Sequence, residues 1–185
     1  MNFFNNVLNP IELPLLNGMH GSLECGFLDF IMPLISAFSK YGIFWIALAV
    51  ILLCFRKSRR TGVTMLLSLA LGLVICNFIL KPWTARIRPY VDDPTIKLLI
   101  EAETGYSFPS GHTIAGFEGA FSIFLNNKKW GVPALILAVL IGFSRLYLQM
   151  HYFTDVIAAV ILGIALALAA YYLGGIILKK TGLPC

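Results

Sequence analysis

Charged side chains are scarce in this chain. Asp, Glu, Lys and Arg make up 12% of its 185 residues, about half the share of an average soluble domain, and that shortage excludes an ordinary water-solvated globule. Cysteine is also sparse. Cys25, Cys54, Cys76 and Cys185 stand far apart, with no C-x-x-C pair and no spacing suited to zinc. All four are read as unpaired. Residues 1–23 lack the basic stretch that opens a cleavable signal peptide, so membrane insertion is expected to rely on the apolar spans. Internal repeats and low-complexity tracts are missing too, which points to one domain over residues 1–185.

What the chain has in abundance is apolar sequence, at 58%. Residues 61–80 (TGVTMLLSLALGLVICNFIL) carry no charge over the roughly 20 residues that a helix needs to cross the hydrocarbon core. Further candidate spans are residues 41–55, 109–125, 131–148 and 153–178. The expected fold is all-α: a polytopic transmembrane helical bundle of about five spans over residues 41–178, preceded by interfacial helices in residues 1–40. An extra span over residues 24–39 would have to take Glu24 and Asp29 into lipid, which argues against it.

The formal charge of +5 does not imply nucleic acid, because the basic residues form separate clusters between apolar runs and no continuous patch. The positive-inside rule accounts for them. With five spans, Arg56, Lys57, Arg59 and Arg60, then Lys128 and Lys129, then Lys179 and Lys180 fall on one side, which is read as cytoplasmic. Lys81, Arg86, Arg88, Lys97 and Arg145 are left on the opposite, extracytoplasmic side.

Three segments on that side carry chemistry: residues 81–89 (KPWTARIRP), 108–112 (FPSGH) and 144–155 (SRLYLQMHYFTD). His151 and Asp155, four apart, share one face of a helix, where the carboxylate can hold the imidazole in one tautomer. Taken alone they are equally a structural pair. Ser110 and Gly111 precede an apolar run, so they suit the first turn of a helix, whose N–H groups and dipole favour an anion. Lys81, Arg88 and Arg145 add cations, which taken singly would also fit snorkelling residues at the membrane surface. Two histidines, three cations and a helix N-terminus together suggest phosphate chemistry. The loop 90–107 holds Asp92, Asp93, Glu101 and Glu103 without the calcium-loop pattern, and is read as a solvated loop that could cover the site. Arg86 is read as a surface cation, His20 as interfacial and Glu118 as a structural carboxyl inside the third span. Trp45, Trp83, Tyr90, Trp130 and Tyr147 are read as aromatic-belt residues.

In order and spacing, the segments match K-x6-RP, PSGH and SR-x5-H-x3-D. Over residues 81–155 the chain thus resembles the type 2 phosphatidic acid phosphatase family, membrane lipid phosphatases related to vanadium haloperoxidases. The resemblance implies that His151 is the nucleophile, forming a phosphohistidine, that Asp155 orients it, and that His112 is the general acid and then the base. It implies that Lys81, Arg88, Ser110, Gly111 and Arg145 hold the phosphoryl oxygens with no metal or cofactor. The implied partners are a lipid phosphate substrate and membrane lipids, in a bacterial cell membrane. Undecaprenyl diphosphate is the preferred substrate, with phosphatidylglycerol phosphate and phosphatidic acid as alternatives. From other classes, a small transporter or scaffold and a vanadate-dependent peroxidase are the competing readings.

Overall fold

The structure, a computed structural model, describes residues 3–181, with side chains through Lys179. Cys185 lies outside the described residues; Cys25, Cys54 and Cys76 are free thiols. After a π-helical turn, Phe4–Leu8, the chain forms α1 (Asn9–Leu23), α2 (Gly26–Ala37), α3 (Ile43–Cys54) and α4 (Arg59–Val74). A π-helical segment, Ile75–Leu80, prolongs α4 into the short α5 (Lys81–Thr84), and α6 (Pro89–Asp92) follows. Then come α7 (Gly111–Asn126), α8 (Lys128–Tyr147) and α9 (Phe153–Thr181).

Among the described residues, four stretches are long and apolar enough to cross a membrane: Gly26–Cys54, Arg56–Asp92, Lys128–Tyr147 and Phe153–Lys179. The stretch expected at residues 41–55 is the second half of a longer one that begins at Gly26. It breaks where Tyr41 (φ 55°) and Gly42 (φ 68°) leave helical geometry. The expected span at 109–125 is α7, 16 residues long. At 1.5 Å per residue that is about 24 Å, a little short of the ~30 Å hydrocarbon core. Yet α7 is central: it packs against α4, α8 and α9.

The main core joins Trp45, Ala49, Met65, Phe117, Ala120, Ala138 and Ile141 from α3, α4, α7 and α8. Trp45 is therefore not a belt residue; it is 1% exposed, because Gly119 leaves room for its ring where any Cβ would collide. Tyr147 is likewise buried, and donates to Asp29 Oδ1 at 2.6 Å. Trp83 and Trp130 remain exposed, at 77% and 66%. Ile136, Val139, Ile157, Ile161 and Ile176 point outward, which suits a solvent of hydrocarbon and would be a liability in water.

Two helix starts and one turn aim the functional residues. Ser110 caps α7 by accepting from Thr113 N, and Asn127 caps α8 by accepting from Trp130 N, each satisfying a donor the first turn leaves open. After α5 the chain turns at Ala85 in the left-handed region (φ 44°). That turn points Arg86 and Arg88 back into the protein.

Candidate active site

The three motif segments meet at one end of the bundle. Ser110 N donates to the carbonyl of Asp155 at 3.2 Å, binding the start of α7 to the first turn of α9. Arg88 Nη1 donates to the carbonyl of Met150 at 3.2 Å, binding the segment before α6 to the turn between α8 and α9. A cavity of about 900 Å³ opens there, with Lys81, Arg88, Gly111, His112 and Arg145 among its walls. From this polar mouth it runs down between α3, α4 and α7, past Leu69, Leu73, Ile114 and Ala115. Glu118, 1% exposed, closes it against Gly72, where a side chain would collide with the carboxyl.

His151 stands in the turn between α8 and α9, 1% exposed. Its Nδ1 lies 3.5 Å from Asp155 Oδ2 and 3.4 Å from Ser107 Oγ. Its Nε2 faces the Arg88 guanidinium at 3.4 Å. Burial, followed by the charges of Arg88 and Arg145, holds its pKa well below the ordinary imidazole value. That shift favours the neutral ring, and the Arg88 donor at Nε2 fits the tautomer with its proton on Nδ1, towards the carboxylate. Asp155 is itself tightly held. Ser107 Oγ donates to Oδ2 at 2.5 Å, the Tyr152 N–H donates to the same oxygen at 3.0 Å, and Arg86 Nη1 meets Oδ1 at 2.6 Å.

His112, in the first turn of α7, reaches the same cluster from the other side through Glu103. One carboxylate oxygen of Glu103 lies 2.6 Å from Arg145 Nη2 and 3.6 Å from His112 Nδ1. The other lies 3.0 Å from Arg88 Nη1. Burial alone would raise the pKa of this carboxyl; Arg145, then His112, His151 and Arg88, outweigh it and hold the group at about 2. Glu103 is thus an anion seated among the cations. The expectation of a solvated loop over 90–107 is corrected at Glu103, which enters the site's positive field, while Asp92 and Glu101 are exposed. No motif marks Glu103, and its only sequence signal is a carboxylate in the segment leading to PSGH.

Arg86 also departs from expectation. It is fully buried, not a surface cation. Besides Asp155 it contacts Thr154 Oγ1 at 2.7 Å, Asn9 Oδ1 at 2.9 Å and Glu12 Oε1 at 3.4 Å. The N-terminal helix therefore packs onto the motif segments. Asn5 accepts from the Ile87 N–H, Asn9 donates to Asp92, Glu12 accepts from Thr154, and His20 Nδ1 lies 2.9 Å from the Tyr147 carbonyl.

Of the remaining motif residues, Arg145 and Gly111 line the cavity, and Ser110 is buried behind it. Arg145 is fully buried, donates to Ser36 Oγ at 2.6 Å, and keeps one buried nitrogen, Nε, without a hydrogen-bond partner. Gly111 faces open space, as a Cβ there would meet nothing within 4 Å. Ser110 Oγ is engaged in capping α7 and accepts from Thr113 Oγ1 at 2.9 Å. Among the described residues no three His, Cys, Asp or Glu side chains gather as a metal site would need.

Comparison with known proteins bears on the family and the fold. The family model described as PAP2 superfamily matches residues 61–176. The chain is 36% identical over 128 residues to a protein named undecaprenyl-diphosphatase from Sulfolobus acidocaldarius, covering 68% of this chain and 62% of that relative. The chain thus spans under two thirds of that protein's length. It is 30% identical to undecaprenyl-diphosphatase BcrC of Bacillus subtilis, over 81% of this chain and 77% of the relative. It is 33% identical to phosphatidylglycerophosphatase B of the same organism, over 84% and 74%. Among solved structures, a PAP2 type phosphatidylglycerolphosphate phosphatase from Bacillus subtilis superposes with a TM-score of 0.72 at 23% identity, covering 96% of this chain and 89% of that one. Aquifex aeolicus LpxE does so at 0.68 and 23%, covering 86% and 94%.

Proposed function

The chain belongs to the PAP2 superfamily, and from that premise we propose that it is an integral membrane lipid phosphatase working through a phosphohistidine. His151 Nε2 attacks the terminal phosphorus while Asp155 holds the Nδ1 proton and stabilises the charge that builds on the ring. His112 protonates the departing oxygen. Water then attacks the phosphohistidine with His112 as base, and orthophosphate leaves. Arg88, Arg145, Lys81 and the first turn of α7 at Ser110 and Gly111 carry the charge spread over the equatorial oxygens, the task that phosphoryl transfer sets every catalyst.

The observation that carries this reading is the seat of Glu103. A carboxylate paired with Arg88 and Arg145 and 3.6 Å from His112 supports an oxyanion seat here, and the same Arg88 lies 3.4 Å from His151 Nε2. The unpartnered Arg145 Nε adds an unused donor. The apolar walls of the cavity, Leu69, Leu73, Ile114 and Ala115, support a lipid as the leaving group, with its chain between α3, α4 and α7 and its phosphate at the mouth.

The preferred substrate is undecaprenyl diphosphate, the substrate class in the names of two relatives; phosphatidylglycerol phosphate is the alternative. The site faces the extracytoplasmic side, a reading supported by the basic clusters that follow the spans at the opposite end. The test is release of orthophosphate from undecaprenyl diphosphate, phosphatidylglycerol phosphate and phosphatidic acid by the purified protein in detergent containing EDTA. Turnover is expected to persist in EDTA and to fall on the order of 10³-fold or more in His151→Ala, as for a catalytic unit stripped of its nucleophile. Full turnover by that variant would refute the mechanism.

A further inference from the structure

Arg86 is held by three hydrogen bonds, while Nη2 makes none and meets Glu12 only as an ion pair. Nη1 binds Asp155 Oδ1 and Thr154 Oγ1, Nε donates to Asn9 Oδ1, and Nη2 faces Glu12 Oε1. The plane lies over the Tyr152 ring, with 4.1 Å from its central carbon to the ring centre, and Phe4 is at 5.6 Å. These contacts hold the guanidinium against the Asp155 carboxylate. Glu12 and Asn9 belong to α1, far from any motif, and Glu12 also accepts from Thr154 N and Oγ1 in the first turn of α9. A line of contacts therefore runs from α1 to the nucleophile, alternating in charge from Glu12 through Arg86 to Asp155 and ending at the His151 ring.

We propose that Arg86, with Glu12 behind it, is a positioning residue that keeps Asp155 ionised and aimed at His151 Nδ1, and thereby sets the proton affinity of the nucleophile. A fully buried carboxylate stays charged only when paired and hydrogen-bonded. Arg86 is the cation in direct contact with Asp155, and Ser107 and Tyr152 N complete the oxygens' bonds. Other charges reach the histidine from elsewhere: Arg88 from the segment before α6, Arg145 from α8, Glu103 from the loop and Lys81 from α5. None of these contacts Asp155. The inference rests on the phosphatase reading and adds to it that the N-terminal helix belongs to the catalytic apparatus.

The sign of the effect follows from electrostatics. Deleting the Arg86 cation makes a proton on the His151–Asp155 pair more welcome, so the acid limb of kcat/KM moves to higher pH. Deleting the Glu12 anion leaves Arg86 less neutralised, so the limb moves to lower pH. The experiment is the pH profile of orthophosphate release from undecaprenyl diphosphate for the wild type, Arg86→Gln, Arg86→Lys and Glu12→Gln, with thermal unfolding midpoints alongside. Arg86→Gln is expected to lower kcat about tenfold or more with little change in KM, and to shift the limb up by about one pH unit. Arg86→Lys restores the limb position in part, and Glu12→Gln shifts it down. A limb that stays put in both charge-removing variants, or moves the same way in both, overturns the proposal, even where the unfolding midpoints fall. If Arg86→Gln does not fold, Glu12→Gln decides: a downward shift supports, and an unmoved limb overturns. A wild type that releases no phosphate from any lipid phosphate overturns the phosphatase reading and this inference with it.

Discussion

Replacing Glu103 by Gln tests whether a carboxylate occupies the seat meant for the substrate. The side chain is bound by Arg145 at 2.6 Å and Arg88 at 3.0 Å, and approaches His112 at 3.6 Å. Its pKa falls from 4.5 to about 2. At 1.36 kcal/mol per unit, the site favours this anion over its neutral form by about 3 kcal/mol. The side chain is 28% exposed, so solvent screening reduces what an incoming phosphate must overcome to about 1 to 2 kcal/mol, or about tenfold in affinity. Glu103→Gln keeps the shape and removes the charge. Vanadate, a mimic of pentacoordinate phosphorus, is expected to bind the variant about tenfold more tightly, measured by titration calorimetry in detergent and by inhibition of phosphate release. Because the folded pKa is depressed, the charge is fully present above about 4.5 and is lost only as pH falls through about 2. The gain should accordingly be constant between pH 5 and 8. Unchanged or weaker vanadate binding would refute the reasoning and make Glu103 a strut that orders the two arginines.

Ser107→Ala removes the 2.5 Å bond to Asp155 Oδ2 and the 3.4 Å contact with His151 Nδ1; kcat is expected to fall about tenfold while KM holds, as steady-state kinetics would show. Gly119→Ala puts a methyl group into the Trp45 ring. The overpacking is expected to cost about 1 to 3 kcal/mol, read as a lower unfolding midpoint in detergent, with the pH profile of the surviving activity unchanged.

Glu103 and Arg86 show where a linear reading runs out. The motif residues were legible one by one because phosphoryl transfer demands histidines and cations at recognisable spacings, and the structure brings His112, His151, Arg88 and Arg145 to a single cluster. Arg86 lies two positions from Arg88 and reads the same on paper, as a cation near a span end. Its burial comes from Asn9, Glu12 and Asp155, partners up to 77 residues away. No local pattern encodes such a meeting. Trp45 misled for a similar reason: an aromatic near the end of an apolar run suits a lipid interface, and only the facing Gly119 draws it into the core.

The amino-acid sequence was enough to place the chain in lipid, since long, nearly uncharged helices satisfy their own backbone groups in a bilayer. It also determined which side chains are equipped for phosphate. What tertiary structure alone decided was which charges face each other: Glu103 lowered into the cations, and Glu12 and Arg86 drawn in behind Asp155. Charges attract through space regardless of chain order, and in a site this dry their strength depends on distances that only packing sets.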